Sequence, residues 1–373
     1  MLNCHRNSRH HNLRHHKCKC LLFAAVAALF SSTGFGKTQV LATYIPLADH
    51  YPAIVAYERY RDAMEHADFN IQQMRNWDLL RAHFRSGLAD MSFMMSPLAL
   101  DTYAKDGNFR WLGLMHRDGN ALAINAVLEA DIQLPPHRQA RKPDAQLAHA
   151  IAEYHRATGR PVEIAVPHIL STHTVVLYQY LQSHGVAMSL ATGTSLPARA
   201  LAIAPSQSPA FIRDKSNRRL PAAFEQSLPF ADIVETQNYG RIAWYSKDII
   251  VHPLGHVECL VIATDAALTN KRTAIREVNR YIRRAASDIE TARTAGGPAL
   301  DEIIRLIRKH IPSHTETAIR ASLNPSLRVI NYESLDVDIE GLNTIMGIAL
   351  RAGLLANPVN LHEFSEDLEA GDE

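Results

Sequence analysis

The sequence has little cysteine. There are four among 373 residues, and three of them, Cys4, Cys18 and Cys20, stand in the first twenty positions. The rest of the chain holds only Cys259, so no disulfide framework can staple it. There is no apolar run long enough to cross a bilayer: the run from Cys20 to Phe30 is far shorter than the roughly 20 residues a spanning helix needs. Charge of one sign is not in excess either. The 39 basic residues face 38 acidic ones, which excludes the basic footprint of a nucleic-acid binder. No G-x-S-x-G, P-loop, G-x-G-x-x-G or H-E-x-x-H pattern occurs. Nor is there an internal repeat of solenoid period or a low-complexity linker.

What is present reads as a folded α/β protein. Hydrophobic residues make up 47% and charged residues 21% of the chain, and the length fits two α/β domains of ordinary size. The N-terminus reads differently. Arg6, Arg9, Arg14, Lys17 and Lys19 precede the apolar run with no acid among them, and Ser-Ser-Thr-Gly-Phe-Gly follows it. A basic start, a short apolar core and a small-x-small end make an export signal, expected to span residues 1–36 with cleavage after Gly36, Ala42 being the alternative site. An uncleaved single-span anchor is the alternative. Without residues 1–36 the chain is mildly acidic.

Short apolar runs then alternate with amphipathic segments. Strands are expected at 39–44, 69–74, 91–95, 110–115 and 121–127, with helices at 52–66 and 77–86 and a third opened by Pro97. The order repeats with a helix at 145–158, a strand at 162–166 and a helix at 172–184, for which Ser171 is the expected N-cap. Shorter strands are expected at 201–204, 222–224 and 241–245, and a strong one at 257–264. The remainder is helical up to an acidic tail, 363–373, expected to fray. This βαβ order implies parallel sheets with right-handed crossovers. The Pro- and Arg-rich connector after residue 127, and the return of an apolar strand at 257, favour one domain interrupted by another. The expected division is 37–124 plus 257–373 for one lobe and 125–256 for the second, joined by a two-segment hinge.

Four loops carry the chemistry. Ala48-Asp49-His50-Tyr51, Asn76-Trp77, Ser96-Pro97 and Ser171-Thr172-His173-Thr174 each follow an expected strand and open a helix. Unpaired amides at helix starts favour anions, and ligands of open α/β sheets bind at such strand ends. Trp77 is expected to be partly exposed as a stacking platform. Asp49 would repel an anion and is expected to cap its helix or orient His50. Ordinary N-capping is the competing reading of each loop. Six histidines near loops, His50, His116, His168, His173, His252 and His256, keep a metal-binding alternative open. Cys259, inside Val-Glu-Cys-Leu-Val-Ile-Ala, reads as a buried strand thiol rather than a nucleophile.

Taken in order, these segments resemble the periplasmic solute-binding proteins of ABC importers for nitrate, bicarbonate, taurine and other sulfonates. The resemblance rests on TYIPLADHYPAIVA at 43–56, NWDLLRAHFRSGLADMSFMMSPLAL at 76–100 and HRDGNALAIN at 116–125. It continues with PHILSTHTVVLYQY at 167–180, HPLGHVECLVIATD at 252–265 and LRAGLLANPVNLHEF at 350–364. It implies a two-lobed type II periplasmic-binding-protein fold, and a monomer that captures a small solute between its lobes and delivers it to a membrane permease in the periplasm. No cofactor, metal, catalytic step or nucleic acid is expected. By the same resemblance the ligand-binding residues are His50, Tyr51, Trp77, Ser96, Asn120, Ser171, Thr172, His173 and Gln226. One departure stands out. The family's Glu-Pro-aromatic motif is replaced by Leu228-Pro229-Phe230, with Glu225 and Gln226 just before it, so a sulfonate, a carboxylate or a small heterocycle fits as well as nitrate. The alternatives are an enzyme on the same scaffold acting on a pyrimidine-type compound, and a His-rich metal-binding protein.

Overall fold

Twelve strands and their helices form two mixed sheets in a computed structural model that describes residues 36–191 and 195–368. The expected export segment lies outside the described residues, save for Gly36. The strands are β1 (Thr38–Tyr44), β2 (Ala67–Gln73), β3 (Met91–Met95), β4 (Phe109–Asp118), β5 (Asn120–Asn125), β6 (Val162–Val166), β7 (Met188–Ser189), β8 (Ala198–Ala202), β9 (Ala222–Ser227), β10 (Gly240–Tyr245), β11 (Val257–Thr264) and β12 (Ile330–Asn331). The first sheet has the order β12-β4-β11-β3-β1-β2, and the second β10-β5-β9-β6-β8-β7.

The sheets are not wholly parallel, as the βαβ order had implied. β11 runs antiparallel to both β3 and β4, and β5 runs antiparallel to both β9 and β10. The cause is connectivity: β11 re-enters the first sheet from the second without a helical crossover, and β5 leaves β4 through one residue. That residue is Gly119 (φ +97°), preceded by Asp118 at φ +58°. Because β5 pairs with β9 and β10, the chain changes sheet at Gly119 rather than at residue 124. The chain returns through the loop between β10 and β11.

The element-forming residues behave as their chemistry dictates. The helix Trp77–Arg85 is capped by Asn76, whose side chain accepts from Leu79 N, and Ser171 caps Thr172–Ser183 by accepting from Thr174 N. Pro97 sits in the first turn of Ser96–Asp106. The helix expected at 52–66 ends at Tyr60, and a 3-10 turn at Arg61–Ala63 leads into β2. The strand expected at 222–224 continues to Ser227, through polar residues that apolar patterning cannot register. The acidic tail is ordered through its first residues: Glu366 N donates to Trp111 O, and Arg272 pairs with Glu366 at 2.6 Å.

The C-terminal helical region reaches back under the first loop. Tyr332 donates its hydroxyl to Ala48 O at 2.8 Å, and fully buried His314 meets the Tyr51 hydroxyl through Nδ1 at 2.9 Å. Burial holds the His314 imidazole down at about 3. The unfolded ring titrates near ~6.5, so the unfolded state takes up the proton first as pH falls. The stability due to neutral His314 is therefore present above about pH 6.5 and is lost toward pH 3. The melting temperature should be lower at about pH 4.5 than at pH 7, with the gap narrower in His314→Asn. Equal gaps in both proteins would contradict this.

Candidate functional site

Facing ends of the two sheets enclose a cluster of polar side chains with almost no access to water. Asp49, His50, Ser96, His116, Asn120, Thr172, His173, Glu225, Ser227 and Glu258 are all 0% exposed. The first loop supplies Asp49 and His50, β4 supplies His116, and β11 supplies Glu258 and Cys259. From the second sheet come Asn120 at the start of β5, Glu225 and Ser227 on β9, and His173 in the first turn of its helix.

Local backbone irregularities aim these groups. Along a regular strand successive side chains face opposite ways, so Glu258 and Cys259 could not share one face. The β11–β4 register breaks between Val257 and Cys259, leaving Glu258 as the extra residue of a bulge, with Cys259 opposite His116. At the chain's change of sheet, a Cβ added to Gly119 would meet His116 Nδ1 at 3.0 Å, so glycine there both supplies the left-handed turn and makes room for the imidazole.

Contacts across the cluster tie the sheets together. Ser227 donates its hydroxyl to Asp49 Oδ2 at 2.8 Å and faces His173 Nε2 at 2.9 Å. With the hydroxyl proton on Asp49, Ser227 Oγ accepts from His173 Nε2–H, which leaves His173 Nδ1 a bare lone pair. Ser96 Oγ and Thr172 Oγ1 are 3.3 Å apart. His116 Nε2 lies 3.0 Å from Glu258 Oε2 and 3.6 Å from Asp49 Oδ2. The Asp49 contact is too long and the Glu258 contact misdirected for a hydrogen bond, so both are ion-pair contacts by proximity.

Burial and charge split the ionisation states. Burial alone would push His116 down, but Asp49 and then Glu258 reverse it and hold the ring up at about 10. Burial would raise Asp49, and the His116 imidazolium beside it brings it below the ordinary carboxylate range. Burial drives His173 to about 3 and His50 to about 4, so both rings are neutral. Burial and the nearby Glu258 and Asp49 carboxylates push Glu225 well above its usual range, and Glu258 is also raised, by burial first.

Many polar atoms here have no protein partner: Asp49 Oδ1, both side-chain atoms of Asn120, His173 Nδ1, both oxygens of Glu225 and Trp77 Nε1. Each such atom costs about 1–3 kcal/mol if nothing bonds it. A cluster of them at one place is a ligand-shaped demand.

The residues expected from the sequence divide accordingly. His50, Ser96, Asn120, Thr172 and His173 stand in or beside the cluster. Trp77 is 1% exposed and not a partly open platform; it is enclosed edge-on to His50, ring centroids 5.9 Å apart. Tyr51 has its hydroxyl committed to His314. Ser171 is spent on helix capping. Gln226 alternates away from Glu225 and Ser227, and its amide donates to Ile203 O. Asp49 caps no helix: the helix that starts at Tyr51 follows His50 with no side-chain cap. Of the six loop histidines, His168 receives Leu170 N and faces Asp78, and His252 lies in the β10–β11 loop. The sequence reading missed His116 as a cleft residue, Glu225, Ser227 and Glu258. Acidic and polar residues inside apolar strands (F-E-Q-S, V-E-C-L) were the available signal.

A model of the NMT1-like family matches residues 34–297, more than half of the chain, and the chain belongs to that family. Among solved structures it is similar to the periplasmic nitrate-binding protein NrtA of Synechocystis PCC 6803 (TM-score 0.68, 13% identity, 87% of this chain and 83% of that one). It is also similar to a zinc-bound ligand-binding component of an ABC-type import system from Staphylococcus aureus (0.65, 16%, 89% and 97%). A third is the alkanesulfonate-binding protein SsuA of Xanthomonas axonopodis pv. citri bound to MOPS (0.64, 10%, 89% and 99%). These likenesses show the fold, the two-lobed type II periplasmic-binding-protein architecture. No curated protein sequence matches the chain.

Glu225 gives a direct check on the unpartnered state of the cluster. Replacing a buried, unbonded carboxyl by an apolar group of similar volume removes its desolvation cost. Glu225→Leu should raise the stability of the ligand-free protein by about 1 kcal/mol or more in urea unfolding. A loss of stability would mean that the carboxyl is bonded in the empty protein.

Proposed function

We propose that this chain is the exported solute-binding component of an ABC importer, taking a small solute between its two sheets and handing it to a membrane permease. The observation that carries this reading is the fully buried set of unpartnered polar atoms from both sheets. A solute spanning Asn120, Glu225 and His173 of the second sheet and Asp49 Oδ1 of the first loop would bond both halves at once. The lobes in this reading are organised on the two sheets. The hinge consists of Gly119 and the β10–β11 loop, and the sequence before residue 37 directs export to the periplasm.

The solute class follows from the site, because the neighbours of this fold take nitrate, an alkanesulfonate or zinc. Three fully buried carboxyl groups, Asp49, Glu225 and Glu258, belong to the cluster, and Asp49 keeps its negative charge. An oxyanion, sulfonate or carboxylate would meet the Asp49 carboxylate and the bare lone pair of His173 Nδ1. A small heterocycle with N–H groups fits better: Glu225 and Asn120 accept, Asn120 Nδ2 and Trp77 Nε1 donate, and His173 Nδ1 accepts. The reading is binding without turnover. Cys259 Sγ is 3.3 Å from His50 Nε2, but burial raises the thiol well above its usual range and lowers the imidazole to about 4. That is the reverse of an activated thiolate–imidazolium pair.

A thermal-shift screen of nitrate, sulfonates, carboxylates, amines and pyrimidine-type heterocycles tests the reading. A protonated or N–H-rich heterocycle should raise the melting temperature. Asn120→Ala and Glu225→Gln should each weaken its affinity about tenfold or more. A shift with nitrate or a sulfonate that survives Glu225→Gln would contradict the proposed solute class, and catalytic conversion of the bound compound would contradict binding without turnover.

A further inference from the structure

Within the buried cluster, three different ligand types converge at full burial. One ligand atom each from His116, Glu258 and Cys259 lies within 4.8 Å of the others. His173 joins them from the opposite side of the cleft, its Nδ1 3.6 Å from Glu258 Oε1. A tetrahedral zinc-type ion with bonds of about 2.0–2.3 Å spaces its ligand atoms about 3.3–3.8 Å apart. His116, Glu258 and Cys259 have spacings from 3.0 Å to no more than 4.8 Å and need a contraction of up to about 1 Å to reach that range; His173, near the other oxygen of Glu258 and outside this group of three, must move further in to join them.

Two further features point the same way. Both Glu258 oxygens and His173 Nδ1 are buried without hydrogen-bond partners. His173 is also oriented as metal-ligating histidines are: its second nitrogen is fixed by Ser227, which is in turn fixed by Asp49. That relay sets the tautomer and leaves the free lone pair on the nitrogen facing Glu258. The bulge at Glu258 is the backbone feature that brings the carboxylate and the thiol to one side, and without it one of them would face the helices instead.

We propose that His116, Glu258, Cys259 and His173 form a site for one divalent transition-metal ion, three ligands from the first sheet and the fourth from the second. The site rests on the solute-binding reading only in that the cluster between the sheets takes a ligand, and because ion and heterocycle would use the same His173 lone pair they compete for it. A nitrogen, sulfur and oxygen set selects a borderline ion such as Zn²⁺ over Mg²⁺ or Ca²⁺. Binding exchanges protons on His116 Nε2 and the Cys259 thiol for the ion, with no redox change. Because its ligands come from both sheets, the ion would close the cleft as it binds.

The test uses the full chain freed of metal and titrated with Co²⁺ and Zn²⁺ alone. One Co²⁺ should bind per chain, with a thiolate-to-cobalt charge-transfer band. Cys259→Ser should abolish that band, and His173→Ala should weaken binding about tenfold or more while leaving the band in place. Should Cys259→Ser fail to fold by circular dichroism, Glu258→Gln read by cobalt ligand-field intensity takes its place, with a loss of tetrahedral intensity expected. No binding, or a band and stoichiometry indifferent to His116→Ala and Cys259→Ser, would overturn the site. A response to a heterocycle without binding of Co²⁺ or Zn²⁺ would overturn this site and leave the solute-binding reading standing, whereas indifference to both ions and solutes would overturn both.

Discussion

The carboxylate of Asp49, out of reach of water, accepts the Ser227 hydroxyl from the opposing sheet and faces the His116 imidazolium. That buried charge organises the rest of the site. It holds His116 protonated, fixes Ser227 and through it the His173 tautomer, and helps push Glu225 toward its neutral form. A charge in such a place is tolerated only when paired and hydrogen-bonded. The partners are drawn from both sheets, so the electrostatics of the cluster and the closed arrangement of the two halves are one problem with one solution.

The closed arrangement has its own supports away from the cluster. Ala48 N donates to Leu228 O and Leu228 N to Gly119 O, joining the first loop to the end of β9 and to the sheet change. Ser322 donates to Asp232 at 2.6 Å, and Tyr178 to Arg351 O at 3.3 Å, so the C-terminal helices also touch the second sheet's layer. Several of these bonds are buried, within an apolar core that runs continuously through both sheet layers. They contribute far less than the apolar interior of the sheet layers.

The frame of this molecule was legible in its sequence wherever hydrophobic period and capping chemistry agree. The helix 145–158 and the strands 91–95, 162–166 and 257–264 fall where the pattern puts them, and Asn76 and Ser171 cap as their side chains predict. Half of the site was legible for the same reason: loops that open helices carry His50, Ser96, Thr172 and His173. The other half was hidden because its residues interrupt strands. Glu225 and Ser227 extend β9 past its apolar portion, and Glu258 is aimed by a bulge, a register event that strict alternation cannot anticipate. Trp77 shows the opposite limit. A position at a helix start looks exposed until a second sheet covers it, and long-range packing of that kind leaves no local trace.

The account stands on ligand capture between the sheets, and the most direct measurement is a crystal structure of the protein purified without denaturation and soaked with the heterocycle or ion that most raises its melting temperature. The account predicts ordered ligand density among Asp49, Asn120, His173, Glu225 and Glu258, with their free atoms taken up by it and the two halves closed around it. The contradicting result would be a filled interior in which those side chains bond one another and the ligand sits elsewhere.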